Sequence, residues 1–345
     1  MRRRVMLIGF SAAVVAAAGG ALTATLRPEP LTATSIGVTQ KGVGIVVHVG
    51  PGGGGTSSGE ERTASSLAEA QKIVKREGAS KATVLVRGGT YRDESLVWDY
   101  SPMGGTITIR PEPGTGRVVY DGGGRPGYWV TVRPGPAKIH FSGMTVQNYT
   151  GGGIWFRDDP SGRTRSAGGS VKHMVFQRMG TRYGSGTPPS SEGHSAVRLS
   201  DSRHMTIRNN AFRNLENDTG HGPVHGIHFD GSADNSASGN VFVEVGGDPI
   251  RAGDGASGNR VIGNRFQTSG RNGVFSYAAS SRRTVCGKNN YFAGNTYGKA
   301  YPHPRSKSFE DRPVDQGGRD ACTPDPIKVG PGNRYAPDLH LSMPG

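Results

Sequence analysis

The sequence predicts an all-β solenoid of short strands stacked coil upon coil, and three observations carry that expectation. An Asn-x-Phe triplet recurs as NAF (Asn210 to Phe212), NVF (Asn240 to Phe242), NRF (Asn264 to Phe266) and NYF (Asn290 to Phe292), at intervals of 30, 24 and 26 residues; repetition at such a period marks stacked repeats. A second series runs out of phase with the first: GIWFR (153–157), AVRLS (196–200), GIHFD (226–230), PIRAG (249–253) and GVFSY (273–277). Finally, the 345 residues include 56 Gly and 22 Pro but are only 33% hydrophobic and 7% aromatic, which suits many tight turns around a thin core.

Taken along the chain, Arg2, Arg3 and Arg4 precede an apolar run from Val5 to about Ala18 and small residues through Ala24. This reads as an export signal over 1–24, loosely of the twin-arginine kind, with an uncleaved anchor over Val5 to Leu26 as the rival reading. A linker over 25–44 leads to a single solenoid domain over 45–298. Ser66 and Glu69 form a capping box, and Leu67, Ala70, Ile73 and Val74 make one apolar stripe, so a helix is expected there. Gly88 and Gly89 supply turn geometry. In the triplets each Phe is expected to point inward and stack on its counterpart in the next coil, with Val175-Phe176 and Thr145-Val146 as earlier rungs. Each Asn is expected at a bend, bonding backbone groups that a turn leaves open. In the second series Ile154, Val197, Ile227, Ile250 and Val274 align as inward residues.

From about Ile45 to Thr296 the chain resembles the right-handed parallel β-helix proteins of the pectate-lyase-like superfamily. Its opening, VVHVGPGGGGT, a helix and then ATVLVRGGTYRDE, is similar to that of many secreted members, which begin with a first strand, a capping helix and a Gly-Gly-Thr-Tyr turn. The resemblance implies a helix plugging the open end of the solenoid, where strand edges would otherwise face water. The superfamily holds lyases, hydrolases, epimerases and non-catalytic binders, so function has to be read from the site. Cys286 and Cys322 suit an exported chain and are expected to form one disulfide stapling the C-terminal tail, two free thiols being the alternative. The tail, 299–345, is Pro-rich and lacks the ladder; it reads as a C-terminal cap wrapping over the last coil, or as a flexible attachment segment.

The formal charge of +14 favours acidic polymers as partners, uronate-containing glycans foremost. Basic residues interleaved with aromatics, as single-stranded nucleic acid requires, are missing, and no later segment is apolar enough to cross a membrane. A monomer is expected. Adjacent coils lie about 4.8 Å apart, so equivalent residues form columns. One outward column reads Trp155, Arg198, His228, Arg251, Phe275, and its neighbour Arg157, Ser200, Asp230, Gly253, Tyr277. Together they describe an exposed face with cations, a titratable pair and aromatics for stacking on sugar rings, walled by excursions at 158–169, 180–194 and 216–224.

Two chemistries fit. In β-elimination on a uronate, Arg251 and Arg198 neutralise the carboxylate, His228 acts as base, and Tyr277 or His225 protonates the leaving oxygen. Trp155, Arg157 and Phe275 bind substrate. The segment VGGDPIRAGDGAS (245–257) loosely resembles a coil of alginate and chondroitin lyases of this fold, although Asp248 and Pro249 replace their acidic-Ala pair. The next coil lacks their acidic metal ligands and downstream Lys, so either no cofactor or Ca²⁺ remains open. Hydrolysis instead needs two carboxylates, for which Asp230, Asp248 and Asp254 are candidates, Asp248 lying beside His225. A metal site at His221, His225, His228 and Asp230 has no recognised zinc spacing, and His225 and His228 are expected on different faces of their strand. A glycan-binding scaffold without turnover is the non-enzymatic alternative.

Overall fold

The computed structural model describes residues 44–51, 61–125, 127–184, 194–218, 223–278, 285–303, 306–317, 322 and 325–342. The export-signal and linker readings, the Gly-rich run 52–60 and His221 lie outside the described residues. Lys41–Gly345 is one compact unit, and its described strands form three parallel sheets of 11, 9 and 8 strands; from Lys81 onward each full coil contributes one strand to each sheet, while Gly44–Val49 and Glu61–Ala64 join the first sheet alone. This is a parallel β-helix.

Two side-chain ladders hold the coils in register. Val146, Phe176, Phe212, Phe242 and Phe266 pair in the second sheet, the one that begins at Gly89–Arg92. The Phe rings stack at centroid distances of 5.3, 4.7 and 4.9 Å, close to the strand spacing, so the core of each coil rests on the last. Asn210 donates from its backbone N–H and from Nδ2 to Oδ1 of Asn240 (3.0 and 2.9 Å), and Nδ2 also donates to the Val171 carbonyl (2.9 Å). The pattern repeats from Asn240 to Asn264, Asn264 to Asn295 and Asn295 to Asn333. Each buried amide thus satisfies the backbone groups that the turn leaves open.

One rung falls elsewhere. Phe266 pairs with Tyr297, not Phe292, while Phe292 continues from Val261 in the first sheet. Asn290 accordingly closes a second ladder, Asn235 to Asn259 to Asn290, at the other end of the first-sheet strands. Identical triplets sit in two ladders because both turns make the same demand on Asn.

Helix α1 (Leu67–Arg76) caps the N-terminal end, burying Leu67, Ala70, Ile73 and Val74 against the strands Gly44–Val49 and Leu96–Trp98. The Ser66 hydroxyl accepts from the Glu69 N–H, while the Glu69 carboxylate reaches the Ser65 N–H and hydroxyl, one residue beyond the usual box. At the other end the ladder runs on into the tail: Val314–Asp315, Ile327–Val329 and Arg334–Tyr335 each extend one sheet. These strands are too short to register as periodicity. Cys286 and Cys322 are disulfide-bonded with a Cα–Cα distance of 5.6 Å.

Near the end of the second-sheet strand the middle coils bend at one place, the next-to-last strand residue, where Asn148, Arg178, Asn214 and Glu244 take φ of 59°, 50°, 54° and 55°. These left-handed residues turn each coil into the third sheet, which runs from Leu96–Trp98 through Tyr128–Val132, Gly152–Phe156, His194–Ser200, Val224–Asp230, Ile250–Gly253 and Phe275–Ala278.

Candidate functional site

The third sheet brings Trp155, Arg198, His228 and Arg251 into one column, as neighbours in register. Ser200, Asp230 and Gly253 form the next. The alignment slips by one residue in the following coil, where Ile250 pairs with Phe275, Arg251 with Ser276 and Ala252 with Tyr277. A one-residue slip exchanges faces, so Phe275 and Tyr277 point inward, at 0% and 1% exposure, and Phe275 is no sugar platform. The Tyr277 hydroxyl donates to the Val285 carbonyl and accepts the N–H groups of Gly255 and Gly287, anchoring the segment that carries Cys286. It is a structural tether and not the acid. Val274, aligned as the inward residue, is also buried; two consecutive inward residues hid the shift.

The same doubling decides where the histidines go. Gly226 and Ile227 both face the core: a Cβ on Gly226 would lie 2.5 Å from the Phe242 ring, and Ile227 is fully buried. Strict alternation is broken there, so His225 and His228 emerge on the same side, with ring centroids 5.9 Å apart. The preceding coils repeat the device with Gly153 against Phe176 and with Ala196 beside Val197. Ser195, paired with His225, therefore belongs to this face too.

Nδ1 of His225 lies 2.9 Å from the Asp248 carbonyl. A carbonyl only accepts, so Nδ1 carries the proton and Nε2 presents its lone pair, 3.4 Å from Nη1 of Arg251. Burial, and then the Arg251 charge, push the imidazole down to about 4 against the pull of Asp248. His228 is half-buried, and desolvation followed by the Arg198 and Arg251 charges drives it well below the usual histidine value. Both rings are neutral near pH 7.

The carboxylates are engaged. Asp230 accepts from Nη2 and Nε of Arg198 at 2.5 and 3.2 Å and from the Ser200 hydroxyl at 3.2 Å. Asp248, 1% exposed, accepts from the N–H groups of Arg271, Asn272 and Gly273, from Asn272 Nδ2 and from the Ser276 hydroxyl. Burial opposes its ionisation, but His225 and these hydrogen bonds hold its carboxyl below the ordinary range. Among the described residues Arg251 has no carboxylate within ion-pair distance, and of the five buried polar side-chain atoms without a partner two, Ser195 Oγ and His228 Nδ1, belong to this face.

Trp155 donates to the Ser200 hydroxyl at 3.0 Å. The guanidinium groups of Arg157 and Arg198 lie over its ring at 4.8 and 5.1 Å, so the indole organises arginines rather than offering a free stacking face. Tyr128 completes this end: its ring lies 5.4 Å from Trp155 and passes over Gly152, where a Cβ would come within 2.6 Å of it. Tyr128 pairs with Gly152 and so lies in the column of Ser195 and His225, whereas the Trp155 column extended one coil upstream meets Thr131.

The family model described as periplasmic copper-binding protein (NosD) matches residues 189–309. No curated protein matches the chain in sequence. Among solved structures, the alginate lyase AlyGC of family PL6 aligns at 13% identity and a TM-score of 0.31, covering 86% of this chain and 53% of its own. The Agl-KA catalytic domain aligns at 10% and 0.29, covering 79% and 65%, and ORF18 of Geobacillus virus E2 at 9% and 0.29, covering 74% and 54%. The chain thus spans about half to two thirds of the length of these structures. Copper does not fit the described residues. They contain no cluster of three or more His, Cys, Asp or Glu suited to a metal, and the two histidines lie between guanidinium groups that repel a cation. No helix among the described residues is long and apolar enough to cross a membrane.

Proposed function

We propose that the third-sheet face binds an acidic, uronate-containing polysaccharide and cleaves it by β-elimination. The observation that carries this reading is a pair of neutral histidines set between two guanidinium groups on one sheet face. The C5 proton of a uronate is acidic once cationic groups neutralise the adjoining carboxylate. His228 then accepts the proton on Nε2, the C4–O bond breaks as the C4=C5 double bond forms, and the leaving oxygen takes a proton. The imidazolium formed between two arginines is a strong acid and returns its proton to that oxygen. A bound carboxylate offsets the two arginine charges and raises the proton affinity of His228, so substrate itself prepares the base.

Hydrolysis draws less support, because it needs two carboxyl groups free to act, and Asp230 and Asp248 are committed to Arg198 and to the 271–276 turn. The Cys286–Cys322 disulfide favours an oxidising compartment outside the cytosol. The reading is tested by following ultraviolet absorbance while the protein is incubated with a panel of uronate polymers, with and without a chelator. Absorbance growth from the unsaturated uronate is expected. New reducing ends without absorbance would mean hydrolysis, and binding without either would mean a scaffold.

A further inference from the structure

The two arginines of the face are held in different ways. Arg198 is ion-paired with Asp230 at 2.5 Å and packed over Trp155, so its charge is largely answered within the protein. Arg251, one coil beyond His228, approaches among the described residues only a lone pair, His225 Nε2. That acceptor is fixed by the hydrogen bond from Nδ1 to the Asp248 carbonyl, and the Asp248 carboxylate in turn grips the N–H groups of 271–273. A carboxylate in the place of His225 would hold the guanidinium more tightly, but it would cancel the charge. A neutral imidazole aims it and leaves it available.

Resting on the reading above, we infer that Arg251 is the specificity-determining residue that receives the sugar carboxylate, and that His225 is a positioning residue that aims it through a neutral acceptor. The buried hydroxyl of Ser195, beside His225 in register and without a partner, marks the same spot as one prepared for a polar ligand, since an unmade buried hydrogen bond is costly. Asp230 and Asp248 are then the supports of the site and the substrate supplies the missing counter-ion.

The test is calorimetric binding of oligogalacturonate and of mannuronate and guluronate oligomers, each beside its methyl ester. At least one free acid is expected to bind about tenfold or more tightly than its ester. Arg251→Gln should abolish the preference and Arg251→Lys weaken it. His225→Gln, which keeps a neutral acceptor, should retain it, and His225→Asp should lose it. Arg198→Gln should weaken acid and ester together. Thermal melts identify any variant that fails to fold, and Arg251→Lys then decides the matter. Preference surviving in Arg251→Gln, no preference in the wild type, or His225→Asp matching His225→Gln overturns the inference. Preference without any unsaturated product would sink elimination and leave the inference standing; elimination persisting in Arg251→Gln would do the reverse.

Discussion

His228 is poised by its neighbours more than by its own chemistry. Desolvation, and then the charges of Arg198 and Arg251, disfavour its protonation. Replacing it with Gln is expected to lower the elimination rate by about 10²- to 10⁴-fold with little change in oligosaccharide affinity, measured as kcat and Kd on the same polymer. Asp248 is expected to matter differently. Asp248→Asn puts an amide donor where Asn272 Nδ2 and the Ser276 hydroxyl now donate, and should destabilise the fold by about 1–3 kcal/mol in urea titrations. The sequence exposed both residues as candidates, His228 within a column of cations and Asp248 as a carboxylate aligned beside His225. Their division of labour was not legible, since whether an Asp in a Gly-rich turn faces a ligand or its own backbone depends on the loop that follows it.

The decisive elements are the strand entrances. Gly226 lets Phe242 reach the base of Val224–Asp230, and so flips the phase that brings His225 beside His228. Gly226→Ala forces a methyl to within 2.5 Å of that ring and 2.7 Å of the Pro249 carbonyl. It should cost about 1–3 kcal/mol and depress activity more than stability, which paired melts and rate assays would separate. Period-2 reasoning placed Trp155, Arg198, His228 and Arg251 correctly, because those strands keep a constant offset. It failed at Phe275 and Tyr277, where Val274 and Phe275 both turn inward, since a doubled inward position leaves no mark in a hydrophobicity pattern. The histidine pair was misplaced for the same reason.

For the whole molecule, the stacked Phe and Asn ladders make each coil depend on its neighbours. Their triplets were the most legible part of the sequence, whereas the tail's two- and three-residue strands were not. The site also couples to global stability. His225 stands at about 4 when folded against 6.5 for the ordinary group. Between those values the unfolded chain binds more protons, so stability rises with pH through that window, is complete above about 6.5 and is lost towards 4. Urea unfolding near pH 7 and near pH 4.5 should show this slope in the wild type and a shallower one in His225→Gln.

The measurement bearing most directly on the central claim compares the rate of unsaturated-uronate formation by the wild type, by His228→Gln and by Arg213→Gln, which alters the second-sheet face where Arg213 bonds Gln177. The third-sheet site predicts that the wild type and Arg213→Gln generate the absorbing product at similar rates and that His228→Gln, folded by its melt, does so about 10²-fold or more slowly. Product formation by His228→Gln at the wild-type rate would contradict it.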